Sequence, residues 1–494
     1  MRLVRRSLVT ITALELVALA FAGSPVGWRL DGTGRYPDAK PPTEWAAGSA
    51  TQPAKNILWV TSMPDRSNSS PVLVGGRLFV QSEPFDLVCV DAKDGTILWT
   101  KSNDYAEVMT PADVEQAKAD KAKADAIRGE IAPLQKQIWQ IGEEAKKLAA
   151  RTTQPAANAE KIKAEQKVLK EKAAKLNAQI ARLRGGLAGL TKWERLPTNE
   201  VNGYSSPTPV SDGQFVYALF GNGVAASYDL EGHRRWIRFV AKSPIEDGHA
   251  SSPVLVEGQL LVHVDDLIAL DPETGKTLWE ADRTEPGFGT PAVVRLGGVT
   301  AAVTANGDVV RVADGVVLAR KVSLVSYCSP VVDNSIAYFV QNISRGHGGG
   351  HVVKLSAPAG DAVKAEVLWQ TTSARDRYYA SPVIADGLIY AVTQAKVFSV
   401  INAADGQVVK ELRLILGKGT TFPSICLAGG LLFVSHDSGN TAVVRPGRDA
   451  EVIRVNTLEP FRSTPLFVSD RIYIRGFKNL YCIGAAAAGS AHHY

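Results

Sequence analysis

Eight segments of this 494-residue chain share one layout, and this repetition restricts the fold more than any other feature. In each segment a proline step opens an apolar strand, a turn with Gly or Asp follows, and a second apolar strand comes next. The eight openings are Ser70-Pro71, Ser206-Pro207, Ser252-Pro253, Thr290-Pro291, Ser329-Pro330, Ser381-Pro382, Phe422-Pro423 and Thr464-Pro465. Self-similarity with a period of about 40 residues predicts a repeat architecture.

The fullest copy of the repeat runs from Ser252 to Trp279. It consists of short stretches rich in Val, Ile and Leu, separated by Gly and Asp, a pattern typical of short antiparallel strands. Four strands in about 40 residues make one propeller blade. We therefore predict an all-β fold, an eight-bladed β-propeller of four-stranded antiparallel blades. Seven blades are the fallback, because the fourth and seventh copies are degenerate.

The two ends of the repeat region are expected to complete one blade together. Residues 56–59, Asn-Ile-Leu-Trp, look like an outer strand without a blade, and the last unit, Phe461 to Ile483, ends without an outer strand. Pairing of the two would close the ring and remove exposed strand edges.

A tryptophan motif recurs at the ends of several repeats. Asp271, Gly275 and Trp279 are spaced four residues apart, and the first blade repeats this spacing. The motif resembles the tryptophan-docking motif of the pyrroloquinoline quinone (PQQ) repeat family. Asp and Gly would form the turn, and the indole would pack between adjacent blades. The residues predicted to have this structural role are Trp59, Trp99, Trp236, Trp279, Trp369, Asp91, Gly95, Asp271 and Gly275.

Between Trp99 and Pro207 the apolar period changes from two to about three and a half. Two heptad runs, Ile127 to Leu148 and Ile162 to Leu187, are separated by a polar stretch that contains Pro155. This pattern predicts an inserted antiparallel α-helical coiled-coil hairpin. Residues 112–190 hold 16 Lys and Arg against 10 acidic residues, so they account for the net charge of +5 of the chain. The rest of the chain has no basic excess, and no nucleic-acid partner is expected.

The first residues resemble a secretory signal. Arg2, Arg5 and Arg6 precede an apolar run, and residues 20–22, Ala-Phe-Ala, fit a small-x-small cleavage site. The protein is thus expected to be exported, periplasmic or secreted, with no transmembrane segment in the mature chain; an uncleaved anchor is the alternative. The predicted organisation is a signal peptide (1–22), an extended lead-in (23–53), the closing strand and first blade (54–110), the helical hairpin (111–192), the remaining blades (193–484) and a disordered tail (485–494).

A candidate binding site is predicted at one mouth of the central channel. Seven of the eight repeats place an aromatic residue or histidine just before the inner strand, which would suit a flat ligand or an aromatic side chain of a peptide. The alternative is that these rings pack against neighbouring loops. The seven residues are Tyr204, His249, Phe288, Tyr327, Tyr379, Phe422 and Phe461.

Metal and disulfide chemistry receive little support. His347 and His351 lie on a glycine-rich loop without a third ligand nearby in sequence, so a flexible loop is the preferred interpretation. The four cysteines form no C-x-x-C pair and are expected to be buried small residues. No metal site and no catalytic residue is predicted.

The resemblance leaves two functions open. Quinoprotein dehydrogenases of the family use a vicinal Cys-Cys pair, Ca²⁺ ligands and a catalytic Asp; this chain has no such pair, and we match neither the ligands nor the Asp to any position. The leading hypothesis is a non-catalytic exported scaffold that binds envelope proteins, possessing no cofactor, with residues 112–190 as a docking arm. It resembles secreted bacterial members of outer-membrane assembly type. The alternative is a PQQ-binding protein or oxidoreductase that uses PQQ with calcium at the channel mouth.

Overall fold

Eight small antiparallel sheets form the strand-rich part of the molecule. The computed structural model describes residues 25–48, 53–151, 159–195, 198, 201–245, 247–342 and 349–485. The predicted signal peptide (1–22), His347 and nearly all of the predicted tail lie outside the described residues. Seven sheets have four strands, one of which takes its fourth strand from Ile57–Ser62, and the remaining sheet has a fifth strand, Arg35–Tyr36. The fold is therefore the predicted propeller of eight blades.

The blades are numbered in chain order, and their strands run from the channel outward. Blades 1 to 4 consist of Val72–Val74, Arg77–Ser82, Asp86–Asp91 and Ile97–Ser102; Val210–Ser211, Phe215–Leu219, Val224–Asp229 and Arg234–Phe239; Val254–Val256, Gln259–His263, Leu267–Leu270 and Thr277–Glu280; Ala292–Leu296, Val299–Val303, Val309–Arg311 and Val317–Ala319. Blades 5 to 8 consist of Val331–Asp333, Ile336–Tyr338, His351–Leu355 and Ala365–Gln370; Val383–Ala385, Leu388–Val392, Val397–Asn402 and Val408–Arg413; Cys426–Ala428, Leu431–Ser435, Asn440–Arg445 and Glu451–Thr457; Leu466–Val468, Arg471–Arg475, Asn479–Ile483 and Ile57–Ser62.

Burial explains why the middle strands are almost wholly apolar. The second and third strands of a blade pack against both neighbouring blades, as Leu87–Val90 in blade 1 do. The outer strands alternate between half-buried and exposed residues, as in Ile97–Ser102. A strand that is buried on both faces consists of consecutive apolar residues, whereas apolar and polar residues alternate in a strand with one face exposed to solvent.

The last blade is closed by the N-terminal strand, as predicted. Ile57–Ser62 pairs antiparallel with Asn479–Ile483, and Trp59 lies opposite Cys482. This pairing joins the two ends of the propeller. It gives blade 8 its outer strand, so the outward edge of Asn479–Ile483 is paired.

Each docking tryptophan reaches the next blade. Trp99 of blade 1 lies against Gly232 of blade 2, where an added Cβ would come within 2.9 Å of the indole. Its Nε1–H donates to the carbonyl of Leu230 at 3.1 Å. Trp59, Trp236, Trp279 and Trp369 repeat the arrangement on the glycines of blades 1, 3, 4 and 6. Each of these glycines has a positive φ, so the turn and the flat indole contact both require a residue without a side chain.

Two helices form a separate hairpin. α1 (Pro111–Arg151) and α2 (Ala159–Gly185) pack against one another and, with their flanks, make one compact unit of residues 108–196. Thr110 and Asp113 cap the start of α1, since the Asp113 N–H donates to Thr110 Oγ1 at 3.2 Å. The side chains buried in the hairpin are Ala124, Ile131, Ile141, Leu148, Ile162 and Ile180. Supercoiling of the pair as a coiled coil stays a prediction.

Within the described part of the chain, neither helix has the apolar composition over sufficient length that crossing a bilayer requires.

Candidate functional site: a propeller channel with an aromatic mouth

A closed ring of eight hydrogen bonds surrounds the central channel. In each blade the N–H of one Ser or Thr donates to the hydroxyl of the equivalent residue in the next blade, over 2.8 to 3.1 Å. The donor Thr464 returns to Ser70 of blade 1 at 2.9 Å and completes the circle. We call this set the hydroxyl ring; its members are Ser70, Thr208, Ser252, Thr290, Ser329, Ser381, Ser424 and Thr464.

The residues two positions before the hydroxyl ring form the mouth of the channel. All eight line one cavity of about 360 Å³, a size within the usual range of small-molecule sites. The mouth residues are Asn68, Ser206, Ala250, Phe288, Tyr327, Tyr379, Phe422 and Arg462.

Four of the mouth residues make an aromatic arc along blades 4 to 7. The ring centroids of Phe288 and Tyr327 lie 6.0 Å apart, those of Tyr327 and Tyr379 4.8 Å, and those of Tyr379 and Phe422 4.7 Å. Adjacent rings at these distances gain from aromatic contact beyond simple burial. The opposite side of the mouth is formed by the small or polar Asn68, Ser206 and Ala250, so the cavity has one aromatic wall and one polar wall.

Two arginines belong to the aromatic wall. The Arg462 guanidinium lies 4.6 Å from the centroid of the Phe422 ring, and its Nη1 donates to the Val201 carbonyl at 3.1 Å. The Arg377 guanidinium lies 5.5 Å from the Tyr327 centroid and donates to the Tyr379 hydroxyl at 2.8 Å. This hydrogen bond raises the pKa of Arg377. Both cations are held against ring faces, and Arg462 also forms an ion pair with Asp437 at 3.8 Å.

Below the mouth lies a small chamber, which the hydroxyl ring encircles. Its volume is about 110 Å³, and its lining comprises the hydroxyl ring, the mouth residues and Trp28. Trp28 also lines a groove on the other side, among the inner strands of blades 2 to 5. Trp28 thus lies between the chamber and this groove and forms a floor of the chamber.

The lead-in segment holds this floor in place. Val26 bridges to Ser211 in blade 2, and Arg35–Tyr36 pairs in parallel with the inner strand of blade 7. Between them the buried Arg29 donates through Nη2 to the carbonyls of Pro382 and Ile425, at 2.7 and 2.9 Å. Burial lowers the pKa of Arg29. Gly34, with a φ of +74°, leaves the room that this guanidinium fills.

Of the seven predicted mouth residues, the structure brings four together: Phe288, Tyr327, Tyr379 and Phe422. The other three lie elsewhere. Tyr204 packs against Phe85 at 4.9 Å, and its N–H donates to the Glu83 carboxylate. Phe461 is fully buried in the core between blades 7, 8 and 1. His249 is also fully buried, and burial, with a smaller contribution from His263, lowers the pKa of His249 to about 4.

Tyr204 differs because alignment on proline misplaces the register in blade 2, whereas His249 and Phe461 lie three residues before the ring residues Ser252 and Thr464 instead of two. Residues 206–209 read Ser-Pro-Thr-Pro, and the ring uses Thr208 rather than Ser206. In blade 7 the ring residue Ser424 follows Pro423 instead of preceding a proline. Alignment on the hydroxyl residue would have identified Ala250 and Arg462 in place of His249 and Phe461. The binding role of the mouth stays a prediction.

The histidines and cysteines that the structure describes form no metal centre and no disulfide. Among the described residues, no group of three or more His, Cys, Asp or Glu side chains has the geometry to hold a metal ion. His351 lies in the third strand of blade 5, where its Nδ1 contacts Ser323 Oγ at 3.2 Å. All four cysteines are buried and free of disulfides, and burial raises their thiol pKa values, to about 12 for Cys89, Cys328 and Cys426.

Taken together, the fold and the channel define a closed eight-bladed propeller with a pocket at the mouth of its channel. The chain belongs to the family described as outer membrane protein assembly factor BamB, whose sequence profile matches residues 49–116, 243–446 and 329–493, more than half of the chain. A search of curated proteins finds no match.

Solved structures with a related fold have low sequence identity. BamB from Moraxella catarrhalis is 12% identical, with a TM-score of 0.42 over 57% of this chain and 82% of that one. A europium-containing methanol dehydrogenase is 12% identical, with a TM-score of 0.46 over 86% and 85%. Quinohemoprotein alcohol dehydrogenase from Comamonas testosteroni is 9% identical, with a TM-score of 0.38 over 89% and 78%.

Proposed function

We propose that this protein is a non-catalytic scaffold of the cell envelope that binds partner proteins at two places, the channel mouth and the helical hairpin. The observation that carries the proposal is the mouth itself, which places four aromatic rings and two arginines around one cavity. Aromatic residues and arginine are the residue types that dominate the binding energy of protein interfaces.

The mouth would accept a protruding side chain or loop of the partner. Its aromatic wall offers apolar contact, and Arg377 and Arg462 offer positive charge beside it. An aromatic or acidic group would therefore be favoured over a basic one, since like charges across an interface are costly. The small residues opposite, such as Ala250, leave room for the inserted group.

The hairpin offers a second surface. Trp139 on α1 is 66% exposed and Val168 on α2 is 62% exposed. A large aromatic side chain left in solvent on a helix is typical of an interaction surface. The excess of Lys and Arg in residues 112–190 further favours a partner with an acidic surface.

The family description supports an envelope location, because BamB is described as an outer membrane protein assembly factor. The arginine-led apolar segment of residues 1–22 supports export to the periplasm. Both are consistent with a scaffold that acts among envelope proteins.

The test is comparative capture of cross-linked envelope proteins, identified by mass spectrometry. Baits are the wild type, Tyr327→Ala with Tyr379→Ala in the mouth, and Trp139→Ala in the hairpin. Leu278→Ala is the matched control, since Leu278 is a half-exposed apolar residue in an outer strand. A specific partner should be retained by Leu278→Ala and lost from the mouth variant, the hairpin variant or both. Retention of every partner by all variants would contradict the proposal.

A second candidate is binding of PQQ at the mouth. A flat, carboxylated quinone fits the aromatic arc and the two arginines. The calcium that accompanies PQQ in the dehydrogenases does not fit as well, because Asp247 is the single carboxylate among the described residues that line the cavity. Titration with PQQ, with and without Ca²⁺, tests this candidate: saturable binding lost in Tyr327→Ala with Tyr379→Ala would support it, and no binding at high micromolar quinone would exclude it.

A further inference from the structure

The hydroxyl ring gives the chamber an unusual number of hydrogen-bond donors. Each ring oxygen accepts the N–H of the preceding blade, and a hydroxyl that accepts in this way still has its own proton to donate. Accepting one hydrogen bond also polarises a hydroxyl and strengthens it as a donor. All eight ring residues line the chamber.

The charge that the chamber lining itself carries is positive, although Arg462 also forms an ion pair with Asp437 at 3.8 Å. Among the described residues that line the chamber, Arg462 is the single ionised side chain, and none is Asp or Glu. The Arg29 guanidinium lies 5.2 Å from the ring of Trp28, the floor of the chamber. It donates to the carbonyls of Pro382 and Ile425, and the Asp31 carboxylate interacts favourably with its charge. Positive charge close to the chamber favours an anion over a cation there.

The size of the chamber limits what can enter. Its volume of about 110 Å³ corresponds to three or four water-sized groups at about 30 Å³ each. This is enough for a carboxylate group and too little for an aromatic ring with its substituents. The larger mouth cavity of about 360 Å³, directly above, has room for the ring.

We propose that the chamber is an oxyanion subsite that takes the carboxylate of an aromatic ligand whose ring lies on the aromatic arc. The inference rests on the proposed function of the mouth as a binding site and specifies the chemical class that it takes. The carboxylate accepts hydrogen bonds from the ring hydroxyls, while the aromatic arc holds the body of the ligand.

The first experiment uses the wild-type protein and two small probes of equal shape. Benzoate and benzamide are titrated separately by isothermal calorimetry, because they differ in charge and hardly in size. Benzoate should bind at least about tenfold more tightly, as hydrogen bonds to a charged acceptor are the stronger ones. Formate should compete with benzoate, since it would fill the chamber alone.

The second experiment removes donors in a matched way. Thr290→Val with Thr464→Val deletes two ring hydroxyls at nearly constant volume, whereas Thr290→Ser with Thr464→Ser retains both hydroxyls. Benzoate affinity should fall about tenfold or more for the valine pair and stay near wild type for the serine pair. Circular dichroism checks that each variant is folded, and the wild-type comparison of the two probes stands even if the valine pair is not.

Two results would overturn the inference: equal binding of benzoate and benzamide, or no binding of benzoate at millimolar concentration. Neither result touches the proposed scaffold function, which is judged by partner capture with the mouth and hairpin variants. Conversely, if the wild-type protein captures no partner but binds benzoate selectively, the proposed scaffold function is wrong and the mouth is a small-molecule site.

Discussion

Gly406→Ala should destabilise the propeller by clearly more than Gly387→Ala, although both change a glycine of blade 6 to alanine. Gly406 and Gly387 have φ values of +76° and +70°. An L-residue in this left-handed region costs about 1–2 kcal/mol, and this cost applies equally to both. At Gly387 a new Cβ would meet nothing within 4 Å. The free energy of unfolding should therefore fall by about 1–2 kcal/mol in Gly387→Ala.

At Gly406 the docking tryptophan adds a second cost. The new Cβ would lie 2.4 Å from Trp369 Cε3, well inside the usual carbon–carbon contact of about 3.5–4 Å. The indole must move outward and give up its 3.1 Å hydrogen bond to the Ala403 carbonyl. Overpacking costs about 1–3 kcal/mol and the lost hydrogen bond about 1 kcal/mol. The free energy of unfolding should thus fall by about 3–6 kcal/mol in total in Gly406→Ala.

Urea unfolding, followed by circular dichroism and tryptophan fluorescence, measures both variants. A double-mutant cycle with Trp369→Ala isolates the contact, since without the indole Gly406→Ala should cost no more than Gly387→Ala. Equal costs in the wild-type background, or an excess that persists after the indole is removed, would refute the docking role of the glycine.

Three further predictions follow from the same structure. Trp59→Ala, at the seam that closes the ring, should lower the free energy of unfolding by about 3 kcal/mol, whereas the exposed Trp139→Ala should change it by less than about 0.5 kcal/mol; urea melts compare them, and equal effects would speak against closure through Trp59. The folded protein keeps His249 neutral with a pKa of about 4, against 6.5 for the free side chain, so stability is complete above pH 6.5 and declines by about 3 kcal/mol as the pH falls towards 4. Melts across this range should show a smaller decline for His249→Leu, and an unchanged decline would contradict the assignment. The four buried cysteines should not react with Ellman's reagent at pH 8 in the native protein and should all react in urea; a fast native thiol would show an exposed site.

Much of the fold could be predicted because its determinants are local and repeated. Strand periodicity recurs in each copy, and the Asp–Gly turns and docking tryptophans recur in several. The number of blades and the pairing of Ile57–Ser62 with Asn479–Ile483 could therefore be predicted by counting the copies. The helical hairpin was predictable for a similar reason, as the change of apolar period is visible within a few heptads.

The channel was predicted only in part. The aromatic arc was found because three of its members precede a regular Ser/Thr-Pro step, as Phe288 does. Arg462, Arg377 and the floor residues Trp28 and Arg29 were missed. Arg377 lies outside the repeat pattern. Trp28 and Arg29 belong to the lead-in segment, which is held in place by the carbonyls of Pro382 and Ile425, more than 300 residues away in the chain.

The amino-acid sequence by itself determined that this chain forms eight blades, how the ring is closed, and where the helical hairpin interrupts it. These properties depend on periodicity and turn chemistry, which act between residues near one another in the chain. Only the tertiary structure decided which residue of each blade faces the channel. That register is set by the hydrogen bonds of the hydroxyl ring, each of which joins two neighbouring blades and exists only once those blades are packed together.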